Sequence, residues 1–294
     1  MGASAPPVLQ ACALARRCAR LRPRAAGGDR GIPVGLVTGA SSGIGRATAI
    51  RLRDRGWSVH ASVRSPGEAP AGTTELVFDV TDGDAIAAAV AGIDRLDGLV
   101  DNAGIAIASP LEFLPPDELT RQLDVNVVGQ LRVLQSVLPA LRGSGGRVVL
   151  MGSIAGRSAL PFLGGYAMSK FALEAMADAL RIELAPWGIQ VALVQPGTIA
   201  TPMWTRRQPS VEELPPAVNE LYGVRAARFR ELAAQRSAHA APVELVADAV
   251  EHALTAAKPK TRYIVGPDAK RRARVQRLPD KLRDRVLTRF LFGS

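Results

Sequence analysis

Cysteine is nearly absent. Cys12 and Cys18, both within the first twenty of 294 residues, are the chain's two, so the remainder has neither a disulfide framework nor thiolate metal ligands, and a reducing, cytoplasmic location is expected. Histidine is as scarce: His60, His239 and His252 stand apart, with no carboxylate or Cys at ligand spacing, and no metal site is expected. Apolar runs are interrupted by Arg, Asp or Gly well short of the ~20 residues that span a bilayer. No period of 20–50 residues stands out, which excludes solenoids. With 28 Gly and 21 Pro the chain is far from collagen-like, and 47% hydrophobic residues are enough for a substantial core.

Aromatic residues make up only 4%, and the net charge of +10 lies at the ends. Residues 1–30 carry six Arg against Asp29, residues 258–294 carry twelve Lys and Arg against three Asp, and the stretch between holds nineteen basic and twenty-three acidic residues. A nucleic-acid enzyme carries its basic surface and stacking aromatics on the folded body, so no nucleic-acid partner is expected.

Residues 1–31 read as a basic leader. The apolar stretch Val8–Ala15 precedes Arg16, Arg17 and Arg20, the reverse of a secretory signal, which leaves a transit-like peptide or an unstructured extension. From residue 32 to 267 short β-rich runs alternate with helix-length segments. Strands are expected at Val34–Thr38, Ser58–Val63, Glu75–Phe78, Gly98–Asp101, Arg147–Met151, Gln190–Val194 and Arg262–Val265, with helices at Ile44–Arg55, Asp84–Ile93, Asp117–Leu141, Tyr166–Ala185 and Val243–Ala256. This pattern predicts an α/β fold: one Rossmann-type, doubly wound, parallel seven-stranded sheet with helices on both faces. Residues 202–242 contain no strand and are expected to form a substrate lid.

The first strand runs into Thr38-Gly39-Ala40-Ser41-Ser42-Gly43-Ile44-Gly45 and then a helix. Glycines at these places permit a tight turn and close approach of a pyrophosphate, which the free N–H groups of the helix start would bind. At the end of the second strand, where an acid would hold the 2′-hydroxyl of NAD, the chain has Val63 followed by Arg64, a cation suited to a 2′-phosphate. NADP is therefore favoured, with NAD the alternative; Arg64 would otherwise be a solvated loop charge.

Tyr166, thirteen residues beyond Ser153 at the end of a strongly apolar strand, opens a helix, and Lys170 lies one turn on. A phenol works as an acid–base group near neutrality when a cation stabilises its anion, and a strand-end serine can hold a developing alkoxide or carbonyl oxygen. With the glycine loop, Asp79-Val80, Asp101-Asn102-Ala103-Gly104, Asn126 and Pro196-Gly197 with Thr201, all in order across about residues 33–265, the chain resembles the short-chain dehydrogenase/reductase family. Its last segment, Lys258–Gly266 and Asp268–Phe292, is similar to the retinol- and hydroxysteroid-dehydrogenase-like members.

The resemblance implies hydride transfer between a nicotinamide and a substrate carbon. Tyr166 would be the acid–base group, Lys170 would lower its pKa and hold the nicotinamide ribose, Ser153 would fix the substrate oxygen and Asn126 would anchor a relay water. Asp79 and Val80 would contact the adenine, Asn102, Ala103 and Gly104 the cofactor ribose and central sheet, and Ile199 and Thr201 the nicotinamide amide and phosphate. Asp101 is a departure, since the family usually has Asn there. A non-catalytic NADP-binding redox sensor is the competing reading, but the full Asn-Ser-Tyr-Lys set weighs against it. A nucleotide-sugar epimerase or dehydratase would need a larger C-terminal part.

Ile154, Leu160, Phe162, Leu163, Met203 and Trp204 are candidate pocket residues, mostly apolar, which favours a hydrophobic alcohol, ketone or aldehyde of steroid, retinoid or lipid type; the alternative is that they pack the core or the lid. In residues 268–294, Val275, Leu278, Leu282, Val286 and Phe290 recur at helical spacing among nine Lys and Arg. Such a basic amphipathic tail either lies on an anionic membrane surface or packs on the body or a partner subunit. The resemblance also implies a homodimer or homotetramer built through helices such as Asp117–Leu141 and Tyr166–Ala185.

Overall fold

The computed structural model describes residues 31–204 and 215–293. The seven strands are β1 (Val34–Val37), β2 (Ser58–Val63), β3 (Thr74–Val77), β4 (Gly98–Asp101), β5 (Arg147–Met151), β6 (Gln190–Pro196) and β7 (Arg262–Val265). They form one all-parallel sheet in the order β3-β2-β1-β4-β5-β6-β7. The central strands read as unbroken apolar runs because helices cover both of their faces. All four residues of β4 and the last four of β5 are buried.

Alternation along each strand divides the core in two. Leu36, Leu99, Val148, Leu150 and Leu193 face a cluster completed by α2 (Gly83–Val90), α4 (Gly129–Ser144) and α5 (Gly164–Glu183). Val37, Val100, Val149, Ala192 and Val194 face the opposite cluster, completed by α1 (Gly43–Asp54) and α7 (Glu244–Thr255). The strand order reverses between β1 and β4, so the C-terminal ends of these two strands flank a crevice, the usual ligand position in such sheets.

Two expected helices are divided. The segment expected as one helix from Asp117 to Leu141 is α3 (Pro116–Leu123), a π turn (Asp124–Val128) and then α4. The widened turn carries Asn126, whose amide pairs with both backbone groups of Ile105, at 2.8 and 2.9 Å. The C-terminal apolar stripe is likewise two helices, α8 (Pro267–Val275) and α9 (Asp280–Phe292), because Pro279 cannot continue the first. Within 202–242, the described residues form a short turn at Pro202–Trp204 and α6 (Pro216–Ala238). α9 packs on α6, with Arg225 over the Phe292 ring and Arg236 over that of Phe290. No helix among the described residues is long and apolar enough to cross a membrane. The expected leader, apart from Gly31, and the middle of the expected lid lie outside the described residues.

Leu150, fully buried on central β5, tests the packing. Leu150→Ala should lower unfolding free energy by about 2–5 kcal/mol in a denaturant titration, whereas a loss below about 1 kcal/mol would show that the strand is not sandwiched as described.

Candidate active site

The turn after β1 is held open at the start of α1. Gly39 and Gly43 have left-handed backbones, with φ of 64° and 54°, and a Cβ on Gly45 would stand 2.2 Å from the Gly39 carbonyl oxygen. Ser42 caps α1 without a side-chain hydrogen bond, and the first turn contains no acid. The first N–H groups of α1 are thus left for an external anion, and the donor set fits a dinucleotide pyrophosphate. Ala40 N–H donates to the Ser62 carbonyl at 2.8 Å, which sets Ser41 and the rest of the loop against the end of β2. Arg64, exposed, stands one residue beyond that end.

The opposite wall of the crevice is fixed through Thr38. Its hydroxyl donates to Asp101 Oδ1 at 3.0 Å and accepts from the N–H groups of Asn102 and Ala103 at 2.8 and 2.9 Å. Asn102 Nδ2 in turn donates to the Thr38 carbonyl at 2.9 Å. Gly104 passes so close to Asn126 that a Cβ would lie 3.2 Å from its Oδ1. Asp79 is half-buried beyond β3, its carboxylate taking the N–H and hydroxyl of Thr81, and Val80 beside it is buried.

Ser153 follows β5 and caps the short turn Ile154–Gly156, its Oγ accepting from Ala155 N–H at 3.1 Å. That Oγ also lies 3.5 Å from the Pro196 carbonyl at the end of β6. Tyr166, on the first turn of α5, is hydrogen-bonded to Ser153. Burial pushes the phenol above its ordinary pKa, opposed by the Ser153 hydrogen bond and the positive charge of Arg272. Lys170 is buried one turn on, its Nζ donating to the Met151 carbonyl at 2.8 Å and lying 5.7 Å from the Tyr166 ring centre. The Arg272 charge thus opposes the rise of the phenol, while Lys170, over the ring, is itself coupled to Asp101. Burial lowers Lys170 to about 8 and raises Asp101 to about 8. Asn126 Nδ2 donates to Ser169 Oγ at 3.0 Å, and that hydroxyl donates to the Tyr166 carbonyl at 2.7 Å, so Asn126 positions the start of α5.

Residues 33–212 match the family model described as short chain dehydrogenase. The chain belongs to the short-chain dehydrogenase/reductase family. It is 35% identical over 270 residues to the NADPH-dependent 3-dehydrocapnine reductase of Ornithobacterium rhinotracheale, covering 85% of this chain and 94% of that one. It is 37% identical over 289 residues to retinol dehydrogenase 5 of Mus musculus, covering 86% and 87%. Among solved structures, a short chain dehydrogenase from Burkholderia cenocepacia J2315 in complex with NADP superposes with a TM-score of 0.69 at 27% identity, over 89% of this chain and 98% of that one. The chain is thus an oxidoreductase of this family, similar to its retinol- and hydroxysteroid-dehydrogenase members.

In this dehydrogenase fold, Pro196 to Thr201 crosses from the sheet to the glycine loop. Gly197 N–H donates to the Val265 carbonyl at 2.9 Å, Ile199 is buried, and a Cβ on Gly43 would stand 3.2 Å from Thr201. Ile154 and Leu160 are buried and Met203 is half-buried; the side chain of Trp204 lies outside the described residues. Phe162 adopts φ 64°, unusual for a residue with a side chain and costing roughly 1–3 kcal/mol. Its carbonyl accepts from Ser109 N–H at 2.9 Å, and its ring packs on Tyr222 and Phe229 of α6, 6.2 and 5.3 Å away. Leu163, next in the chain, bridges to Ser109.

Sequence reasoning missed Asp268, Arg272, Ser169, Tyr222 and Phe229. No motif marks them, and each reaches the site through tertiary packing. Asp268 Oδ2 accepts from Thr198 N–H and Oγ1 at 2.8 and 2.9 Å.

Asp101 makes the site's stability depend on pH. Between the ordinary value near 4 and about 8 the folded chain keeps a proton that the unfolded chain has released, so raising pH favours unfolding. The thermal midpoint of Asp101→Asn, relative to the wild type, should therefore climb by a few degrees from about pH 5 to about pH 8. A difference that stays flat would mean that Asp101 is ionised throughout.

Proposed function

We propose that the chain interconverts a hydrophobic alcohol and its ketone or aldehyde with NADP(H). The observation that carries this reading is the Tyr166–Ser153 hydrogen bond at the mouth of a crevice whose other wall is a phosphate-ready helix start. When bound, the nicotinamide gives or takes the hydride. Ser153 orients the substrate oxygen, and Tyr166 donates the proton that completes the alcohol, or removes it in the reverse direction. Lys170 holds the nicotinamide ribose and replenishes the proton through a relay water. Asn126, whose side-chain amide is bonded to Ile105 and Ser169, fixes the turn beside which that water would be held. Thr38 to Gly45, Asn102 to Gly104 and Pro196 to Thr201 line the cofactor, with Asp79 and Val80 at its adenine. Arg64 has no hydrogen bond or ion pair among the described residues and is free to meet a 2′-phosphate, which favours NADP over NAD, as do the NADP complex and the NADPH-dependent reductase among the relatives.

Leu160, Phe162, Leu163 and Met203, roofed by Phe113, Tyr222 and Phe229, give the substrate an apolar path beneath a lid formed by α6. α9 turns Leu282, Val286 and Phe290 to solvent between Arg283, Arg285 and Arg289, a face suited to peripheral contact with an anionic membrane. Exposed Val128, Met168, Phe171 and Ile182 suit a homodimer or homotetramer interface. Co-sedimentation with phosphatidylserine vesicles and light scattering check these two surfaces; absence of binding, or a monomer, would remove the respective claim.

Tyr166→Phe should lower turnover of retinoid, steroid or aliphatic carbonyls by about 100-fold or more while NADPH still binds. Turnover that survives the change would sink the acid–base assignment. Because the phenol is held above its ordinary pKa, reduction should run through neutral pH and fall on the alkaline side, and oxidation should rise there; a pH–rate profile decides. Arg64→Ala should weaken NADPH by about tenfold and leave NADH nearly unchanged, an equal effect on both contradicting the 2′-phosphate role.

A further inference from the structure

Two charged groups outside the proposed chemistry hold the segments that flank Ser153, and a third lies within reach of them. Asp268 and Arg272 are one turn apart on α8 and so share a face. That face grips both segments flanking the serine. Asp268 holds Thr198, two residues past the Pro196 carbonyl that faces Ser153 Oγ, while Arg272 Nη2 donates at 2.5 Å to the carbonyl of Ser158, five residues past Ser153. The third group, Arg236, enters from the last turn of α6, with its guanidinium 5.1 Å from the centre of the Phe290 ring.

The charges do not balance. Two guanidiniums, near enough to repel each other, face one carboxylate, and that carboxylate is already bonded by Thr198. Among the described residues neither arginine has a carboxylate within 4.0 Å, and Arg272 Nε is buried without a partner. Burial lowers both, Arg272 to about 10, and the phenol of Tyr166 feels the Arg272 charge. A desolvated, uncompensated cation is costly, and a guanidinium fork is shaped to take an oxyanion.

We propose that Arg272 and Arg236 form a subsite for an oxyanion head group on the substrate, so that the enzyme acts on an anionic amphiphile whose charged end is bound close to the reacting carbon. This rests on the reading that Ser153 and Tyr166 mark the substrate end of the crevice. The apolar roof of Phe162, Tyr222 and Phe229 then accommodates the chain of the same molecule, and the two arginines select for its charge.

Calorimetric titration of the full chain with octane-1-sulfonate and with octan-1-ol, each with and without saturating NADPH, tests this. The wild type should bind the sulfonate about tenfold more tightly than the alcohol, and Arg272→Gln and Arg236→Gln should each erase most of that preference while binding NADPH like the wild type. The Arg236 side chain makes no hydrogen bond or ion pair among the described residues, so its variant keeps the test decisive if Arg272→Gln, which also releases Ser158, does not fold. No preference in the wild type, or an undiminished one in Arg236→Gln, overturns the subsite. So does a drop in NADPH affinity in the variants, which would assign the arginines to the cofactor. A wild type that prefers the sulfonate but does not bind NADPH supports the subsite and contradicts the cofactor reading; NADPH binding without any preference does the opposite.

Discussion

The hydroxyl of Thr38 is the joint on which the crevice depends. With one donated and two accepted hydrogen bonds it fixes the end of β1 to the turn after β4, and this sets the distance between the glycine loop and the Asn102–Gly104 wall. The parallel sheet carries that constraint onward. Asp101 is in register with Leu150, the next residue on β5 is Met151, and its carbonyl receives Lys170, while Ser153 lies two residues further along. The proposed cofactor cradle and the proposed catalytic side chains are thereby referred to one frame.

Such a frame also decides where charge can be buried. Asp101, Tyr166 and Lys170 lie out of water with Arg272 partly buried beside them, so each is described by its neighbours rather than by its ordinary pKa. Lys170 and Asp101 moderate each other on the sheet side of the phenol. Arg272 acts from the side of Ser158, whose carbonyl it holds. A phenol flanked in this way keeps its proton through neutrality yet has cations on hand for its anion, which suits a group that must both give and take a proton.

The strands were legible because central parallel strands are apolar on both faces, and the expected ranges of β2, β4, β5 and β7 coincide with the structure. The glycine loop and the Tyr166–Lys170 pair stand out in the sequence for a different reason: each is a spacing along one local element. Features that depend on packing between distant segments left no such trace. The π turn at Asn126 arises from a bond to Ile105, twenty-one residues away. The left-handed backbone of Phe162 is held by Ser109 and by rings of α6. In the tail, a stripe that reads as one amphipathic helix is broken at Pro279, and Arg272, one basic residue among many in the sequence, is the one that bonds the carbonyl of Ser158.

Direct hydride transfer within this crevice is the central claim, and isotope transfer tests it most directly. Deuterium placed stereospecifically at C4 of NADPH, supplied with an apolar ketone that the enzyme reduces, should be recovered on the carbinol carbon of the product from one of the two C4 positions and not from the other. Label that is lost to solvent, or that is delivered equally from both positions, would contradict the account.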